Sequence, residues 1–106
     1  MTRALEEYLE RCYRAHSVPR ASEFAASLES SARTVRRRVQ ILYGVPLGRL
    51  LRQKRLEKAA CLLRTTDLTI EEIMSQTAPG DRRSFFRSFR RTFHTSPREY
   101  RSLSSE

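Results

Sequence analysis

The stretch Ser31-Ala32-Arg33-Thr34-Val35-Arg36-Arg37 decides the fold of this chain, because its pattern returns in Asp81-Arg82-Arg83-Ser84-Phe85-Phe86-Arg87. Both stretches begin with a residue typical of a helix N-cap and continue with two arginines four positions apart. A hydroxyl residue and an apolar residue lie between those arginines. This spacing predicts a helix with guanidinium groups on one face. Two such helices predict a protein that binds nucleic acid at two places.

The charge of the chain supports a polyanionic partner. The 106 residues include 21 Lys and Arg against 12 Asp and Glu, a formal net charge of +9 at pH 7. Such an excess favours DNA, RNA or an anionic membrane surface. Residues 33–58 hold nine basic side chains and one acid, and residues 82–101 hold seven and one. The positive charge is therefore concentrated around the two arginine-bearing stretches.

Other classes of protein receive no support from the sequence. No apolar run is long enough for a transmembrane helix or a signal peptide. Cys12 and Cys61 match neither a metal-ligand spacing nor a disulfide framework, and the apolar surroundings of Cys61 predict a small core residue. His16 and His94 have no Cys or acidic partner at ligand spacing. We expect a reduced, cytoplasmic protein that is not an enzyme and has no metal or cofactor.

Helix signals predict an all-α fold. The chain has only three glycines and four prolines, and no long stretch alternates with period two. Thr69-Ile70-Glu71-Glu72 and Ser96-Pro97-Arg98-Glu99 are capping boxes that open helices. We expect seven helices with short loops, over about 4–15, 21–28, 32–43, 46–64, 70–77, 82–93 and 97–103.

Two pairs of these helices have the helix-turn-helix outline, a short helix followed by a tight turn and a longer helix. The first unit covers about 20–44 and the second about 69–94. The long helix at about 46–64 links them, and the C-terminal helix covers about 97–103. We expect all of these elements to form a single DNA-binding domain over 1–106.

Helical phase, at about 100° per residue, separates a buried stripe from an outward face in both arginine helices. The predicted stripes consist of Val35, Val39 and Leu42 in the first helix and Phe85, Phe89 and Phe93 in the second. Arg33 and Arg37 fall opposite the first stripe, and Arg83 and Arg87 fall opposite the second. The two helices therefore present matched arginines away from the core.

An outward arginine face suits duplex DNA. An α-helix fits the major groove, where a guanidinium can bond O6 and N7 of guanine. We expect base contacts from Arg33, Arg36, Arg37, Gln40, Arg83, Phe86 and Arg87. We expect phosphate contacts from Ser31, Thr34, Arg82, Ser84, Arg90 and Arg91, together with the amides at the helix starts. The alternatives are a phosphate contact or a solvated side chain for each arginine, and core packing rather than a thymine methyl contact for Phe86.

In order and spacing these residues resemble the DNA-binding domain of AraC/XylS-type transcription regulators, over nearly the whole chain. The matching segments are 31–37, 44–47, 55–63, 67–73, 81–93 and 96–101. The resemblance implies two helix-turn-helix units joined by the long helix, each with its second helix in the major groove. It also implies a transcription regulator that can recruit RNA polymerase. In the family, the positions of Arg33, Arg36, Arg37, Arg83 and Arg87 face DNA.

The chain departs from the family pattern at two turns. Ala78-Pro79 stands where the family usually has Gly followed by an aromatic residue, which leaves the orientation of the second recognition helix open. His94 stands where the family usually has Gly, and His tolerates a left-handed conformation less well. Family members usually carry a second domain for a ligand or for dimerisation. We expect no such domain within these 106 residues, and therefore either a compact regulator or a fragment of a longer one.

Two alternatives stay open on the sequence: a basic helical RNA-binding protein, and a module that binds an acidic protein through its arginine face. An RNA-binding protein would more often expose aromatic residues for base stacking, whereas most of these fall in core phase. A central helix of about 18 residues spans roughly 27 Å, against about 34 Å between successive major grooves. Occupying both grooves therefore requires splayed recognition helices or bent DNA.

Overall fold

The fold is all-α, as the sequence predicted. A computed structural model of the protein describes residues 2–28, 30–77 and 81–104. In those ranges it has seven helices and no strand: α1 Thr2–Ala15, α2 Ala21–Ser27, α3 Ala32–Tyr43, α4 Leu47–Thr65, α5 Ile70–Thr77, α6 Arg82–Phe93 and α7 Pro97–Ser104. The turn Ala78-Pro79-Gly80, which departs from the family pattern, lies outside the described residues.

The chain divides into two compact units, Met1–Lys54 and Arg55–Glu106. The core of the first unit joins α1, α2, α3 and the first half of α4. Phe24 of α2 and Val39 of α3 are fully buried there, and the rings of Tyr8 and Phe24 lie 5.4 Å apart. The other buried residues of this core are Leu5, Leu9, Cys12, Tyr13, Ala25, Val35, Leu47, Leu50 and Leu51.

The second unit repeats this plan with the second half of α4, α5, α6 and α7. Phe89 is fully buried in its core, between Phe85 at 5.9 Å and Phe93 at 4.6 Å. Tyr100 of α7 meets Phe89 edge to face at 5.5 Å. The remaining buried residues are Leu56, Ala59, Ala60, Leu63, Ile73 and Met74.

The repeat extends beyond the two arginine stretches. Leu5, Leu9 and Cys12 of α1 have counterparts in Leu56, Ala60 and Leu63 of α4, all of them buried. Phe24 and Ala25 of α2 correspond in the same way to Ile73 and Met74 of α5. Both units therefore bury the same faces of equivalent helices, so that α3 and α6 occupy equivalent places in their own units.

Local hydrogen bonds define the ends of both arginine helices. Ser31 is the N-cap of α3, and its Oγ accepts a hydrogen bond from the Thr34 amide at 3.2 Å. Asp81 is the N-cap of α6 and accepts from the Arg83 amide at 2.9 Å. Gly44 and His94 end the helices in the left-handed region, with φ of 74° and 63°. Both predicted N-caps are confirmed.

One capping box is complete and the other is half formed. The Glu72 amide donates to Thr69 Oγ1 at 3.1 Å, and the Glu72 carboxylate accepts from the Thr69 amide at 3.2 Å. At α7, Ser96 Oγ accepts from the Glu99 amide at 3.2 Å. The Glu99 carboxylate, however, accepts from the Thr95 hydroxyl at 3.0 Å instead of from the Ser96 amide.

The prediction of a core position is wrong for two residues, Leu42 and Cys61. Leu42 is 60 % exposed, and Tyr43 packs against the first core in its place. The core follows the row of residues four apart, 35, 39 and 43, which runs obliquely along a helix surface and leaves Leu42 beside it. Cys61, the second of these residues, is only half-buried, whereas Cys12 is buried.

Candidate nucleic-acid interface

The face of α3 opposite its core carries the predicted base-reading residues. Arg33, Arg36, Arg37 and Gln40 are all exposed, while Val35 and Val39 on the same helix are buried. Their spacing of three, four and seven positions places four polar side chains on one face. Recognition helices present side chains to base edges with this same spacing. The structure thus brings the four predicted residues of the first unit together.

At the start of α3, the positive end of the helix dipole is flanked by neutral hydroxyl groups and by no carboxylate. Ser31 Oγ and Thr34 Oγ1 lie 2.9 Å apart, and both residues are exposed. The first turn contains no acidic residue. A helix N-terminus attracts anions through its unpaired amides. This end of α3 is electrostatically suited to a phosphate group.

The outward face of α6 is built from the matching positions. Arg83 and Arg87 are exposed opposite the buried Phe85 and Phe89. The predicted phosphate-contacting residues Ser84, Arg90 and Arg91 are exposed as well. Both units therefore place an arginine pair, four residues apart, on the solvent side of the equivalent helix, α3 or α6.

The start of α6 differs from that of α3 because its cap is a carboxylate. Asp81 accepts hydrogen bonds from the Arg83 amide and from the Ser84 hydroxyl, each at 2.9 Å. The carboxylate already occupies the place where a phosphate would meet the helix dipole. Ser84, predicted to contact phosphate, is engaged by Asp81.

Arg82, also predicted to contact phosphate, has protein partners. It forms an ion pair with Glu71 of α5, and its guanidinium carbon lies 4.9 Å from the centre of the Phe86 ring. The hydrogen bond from Arg82 holds the pKa of Glu71 below its usual range. Phe86 is half-buried and meets Phe85 edge to face at 5.7 Å. Phe86 therefore contributes to the second core as well as to the surface beside Arg82.

Arg101 has a structural role that sequence reasoning missed. Its Nε donates to the Leu63 carbonyl at 3.1 Å, and its Nη2 donates to the Thr66 carbonyl at 3.2 Å. These contacts satisfy carbonyl groups at the end of α4, where a cation also opposes the negative end of the helix dipole. Because the groups that Arg101 contacts are backbone carbonyls, no pattern of side chains in the sequence predicts these contacts.

The surface of α1 has a different character from the two arginine faces. Arg3, Arg11 and Arg14 lie beside Glu6, Glu7 and Glu10 around a shallow recess. Arg3 forms an ion pair with Glu7 at 3.4 Å. Mixed charge of this kind gives no net field toward a polyanion.

No helix in the described part of the chain has the length and apolar character needed to cross a membrane. Within the same residues there is no group of three His, Cys, Asp or Glu side chains placed to hold a metal ion.

Comparison with known proteins agrees with this geometry. A family model described as "Helix-turn-helix domain" matches residues 24–102. The chain belongs to the AraC-type helix-turn-helix family. The curated relatives that share this family are named as transcription regulators, a role that is not enzymatic. The resemblance noted in the sequence is thereby confirmed.

Among curated relatives, the F1 operon positive regulatory protein of Yersinia pestis is 39 % identical over 72 residues, covering 64 % of this chain and 24 % of that protein. The HTH-type transcriptional activator RhaS of Klebsiella pneumoniae is 38 % identical over 79 residues, covering 74 % and 28 %. This AraC-type chain spans about a quarter of the length of the curated relatives it matches.

Two solved structures share the fold. The C-terminal domain of the two-component response regulator yesN from Fusobacterium nucleatum matches with a TM-score of 0.72 and 27 % identity, over 92 % of this chain and 97 % of that one. The C-terminal domain of AraT, a response regulator from Geobacillus stearothermophilus, matches with a TM-score of 0.73 and 26 % identity, over 91 % and 84 %.

Proposed function

We propose that this AraC-type chain binds duplex DNA sequence-specifically by placing α3 and α6 in successive major grooves. The observation that carries the proposal is the repeated arginine pair, 33/37 and 83/87, exposed on each helix opposite a buried stripe. A guanidinium bonds O6 and N7 of guanine together, which distinguishes that base from the other three. We assign base reading to Arg33, Arg36, Arg37, Gln40, Arg83, Phe86 and Arg87.

Phosphate contacts fix the register of a reading helix on the duplex. For α3 we assign them to Ser31 and Thr34 at the N-terminus. For α6 we assign them to Arg90 and Arg91, because the hydroxyl of Ser84 already donates to Asp81. Because Asp81 puts negative charge at the start of α6, we propose that α3 is the stronger reader.

Relatives named as a transcriptional activator and as a positive regulatory protein suggest the wider role. We propose that the protein activates transcription from its bound site through contact with RNA polymerase, in the cytoplasm. In this role residues 1–106 act as one DNA-binding domain with two reading units.

Selection of bound sequences from random duplex DNA tests the binding mode. Two conserved half-sites, centred about 10–11 bp apart, are expected if both helices read bases. One half-site would restrict reading to a single unit. Equal affinity for all duplexes, or preference for single-stranded RNA over the best duplex, would contradict sequence-specific DNA binding.

Substitution of one arginine in each helix tests base reading directly. Arg37→Ala and Arg87→Ala are expected to cost about 1–3 kcal/mol on the selected site and to relax preference at one base position each. Arg3→Ala, on the mixed-charge surface of α1, is the matched control and should leave the preference unchanged. A uniform loss across unrelated sequences would make the substituted arginine a phosphate contact instead.

A further inference from the structure

Three side chains of the second unit form a cluster at the start of its recognition helix. Arg82 is the first residue of α6, Phe86 lies one turn later, and Glu71 lies in the first turn of α5. Arg82 donates from Nη1 to Glu71 Oε1 and lies over the Phe86 ring, 4.9 Å from its centre. The side chains of Arg82 and Glu71 remain 61 % and 63 % exposed. The guanidinium is thus held from two sides and yet accessible.

Equivalent positions in the first unit show what this cluster replaces. The counterpart of Phe86 on α3 is Arg36, which has its own guanidinium, and the counterpart of Arg82 is Ala32. In the second unit the guanidinium beside position 86 comes from Arg82, folded over the aromatic ring. Each recognition helix therefore presents a guanidinium at this part of its face, through different residues.

We propose that Arg82 reads a guanine in the second half-site and that Glu71 is the positioning residue that orients it. The inference rests on the proposed DNA-binding function and revises the phosphate contact first expected for Arg82. Glu71 engages Nη1, and a guanidinium has further N–H donors on Nε and Nη2 for O6 and N7.

Restraint by two partners favours base reading over phosphate contact. A planar guanidinium gains specificity when its plane is fixed, because both bonds to guanine must form in one orientation. A phosphate also accepts a bidentate guanidinium, but its attraction depends on net positive charge, which the ion pair with Glu71 reduces. The restraint thus adds to base reading and subtracts from phosphate attraction.

The two roles predict opposite signs for the loss of the Glu71 charge. If Glu71 positions Arg82, Glu71→Gln weakens binding, even though it removes a negative charge near DNA. If Arg82 contacts phosphate alone, the same substitution strengthens binding by ordinary electrostatics. Glu72→Gln is the matched control, because it removes the same charge from the next residue, and glutamine also serves in a capping box.

The test uses the full chain and duplexes with the selected site, in which one guanine at a time is replaced by 7-deaza-2′-deoxyguanosine. This base pairs normally but lacks the N7 acceptor. With the unsubstituted protein we expect one guanine of the second half-site at which the replacement weakens binding about fivefold, roughly half the discrimination of a bidentate contact. With Arg82→Ala, which removes every donor of the guanidinium, the effect should fall below about twofold at that guanine alone.

Glu71→Gln should reduce the same effect and weaken binding to the unmodified site about threefold, while Glu72→Gln does neither. The double variant Glu71→Gln/Arg82→Ala should bind no more weakly than Arg82→Ala alone, because Glu71 acts through Arg82. An unchanged 7-deazaguanine pattern in Arg82→Ala would overturn the reading role. Equal behaviour of Glu71→Gln and Glu72→Gln would overturn the positioning role, with the proposed function intact. If the unsubstituted protein selected no site at all, the proposed function itself would fail, and this inference with it.

Discussion

His94 and Gly44 occupy the same position of the two recognition helices with very different side chains. Both end their helix with a left-handed backbone, and both amides donate to the carbonyl four residues earlier, at 2.8 Å from His94 and 2.9 Å from Gly44. The left-handed conformation costs a residue with a Cβ about 1–2 kcal/mol, which glycine avoids. The end of α6 therefore tolerates strain that the end of α3 does not have.

Replacement of His94 by glycine is expected to stabilise the protein. His94→Gly should raise the free energy of unfolding by about 1 kcal/mol, measured by urea denaturation, because the strain is removed. Gly44→Ala should lower it by about as much, and since a Cβ at Gly44 meets no atom within 4 Å, the loss reports strain alone. A loss of stability in His94→Gly would instead show that the imidazole itself makes a stabilising contact.

Tyr8 links α1 to the start of α2. Its hydroxyl accepts from the Arg20 amide at 2.8 Å and donates to the Glu23 carboxylate at 2.9 Å. Arg20 is the N-cap of α2 and makes no side-chain capping bond. Its backbone amide is hydrogen-bonded by the Tyr8 hydroxyl of α1. Burial raises the pKa of the Tyr8 phenol above its usual range.

Tyr8→Phe should lower the free energy of unfolding by about 1–2 kcal/mol, since the Arg20 amide loses its partner. Because folding raises the pKa of this phenol, its contribution is complete below about pH 10 and is lost as the pH rises above that value. The stability of the unsubstituted protein should thus fall above pH 10 more steeply than that of Tyr8→Phe. The hydroxyl of Tyr43 pairs with Thr2 at the exposed surface. Tyr43→Phe should therefore change the free energy of unfolding by less than about 0.5 kcal/mol.

At the scale of elements, the two recognition helices share a face and differ at their starts. A neutral serine caps α3, and a carboxylate caps α6. Ser, Asp and Asn stabilise a helix start about equally, so exchange among them changes charge with little effect on folding. The caps therefore set how strongly each helix start attracts a phosphate.

Exchange of the two cap charges should alter DNA affinity in opposite directions. Ser31→Asp is expected to weaken binding to the selected site about five- to tenfold at 0.1 M salt, and Asp81→Asn to strengthen it by a similar factor, since each changes one unit of charge beside a phosphate. Fluorescence anisotropy with labelled duplex measures both, and circular dichroism checks that the helices are retained. An unchanged affinity in Asp81→Asn would show that the N-terminus of α6 does not face DNA.

At the scale of the whole molecule, the arrangement of charge matters more than the net charge of +9. The helices α3 and α6 contain no acidic residue among their arginines, whereas the arginines of α1 lie among glutamates. DNA binding releases counterions only where basic groups meet phosphates. The salt dependence of binding therefore reports which arginines touch the backbone.

Arg91→Gln should reduce the slope of log affinity against log salt by about 0.9, the value of one phosphate contact. Arg3→Gln removes the same charge from α1 and should leave the slope within about 0.3 of its original value. Affinity titrations between 50 and 200 mM salt, about the range in which such slopes are resolved, measure both. Equal slopes in the two variants would mean that net charge, not its placement, attracts DNA.

Much of the fold followed from local sequence because its causes are local. A cap residue bonds an amide two or three positions away, and helical phase depends on spacing alone, so Ser31, Asp81, Thr69 and the arginine faces were predicted correctly. The buried stripe was predicted where it crosses the middle of α3 and failed at Leu42, near the end of the helix. There the oblique line of contact with the core, which spacing alone does not reveal, selects Tyr43.

By itself, then, the sequence determined the seven helices, their caps and two outward arginine faces, since each depends on residues within one or two turns. Only the tertiary structure decided which charges are already engaged. Arg82 meets Glu71 from another helix, and Arg101 bonds backbone carbonyls 38 and 35 positions earlier in the chain. These partners come together through packing of the second core. Because they lie far apart in the chain, no periodic pattern in the sequence predicts the contacts. The repeated arginine pattern thus predicts two recognition helices, while the fold makes the second one different from the first.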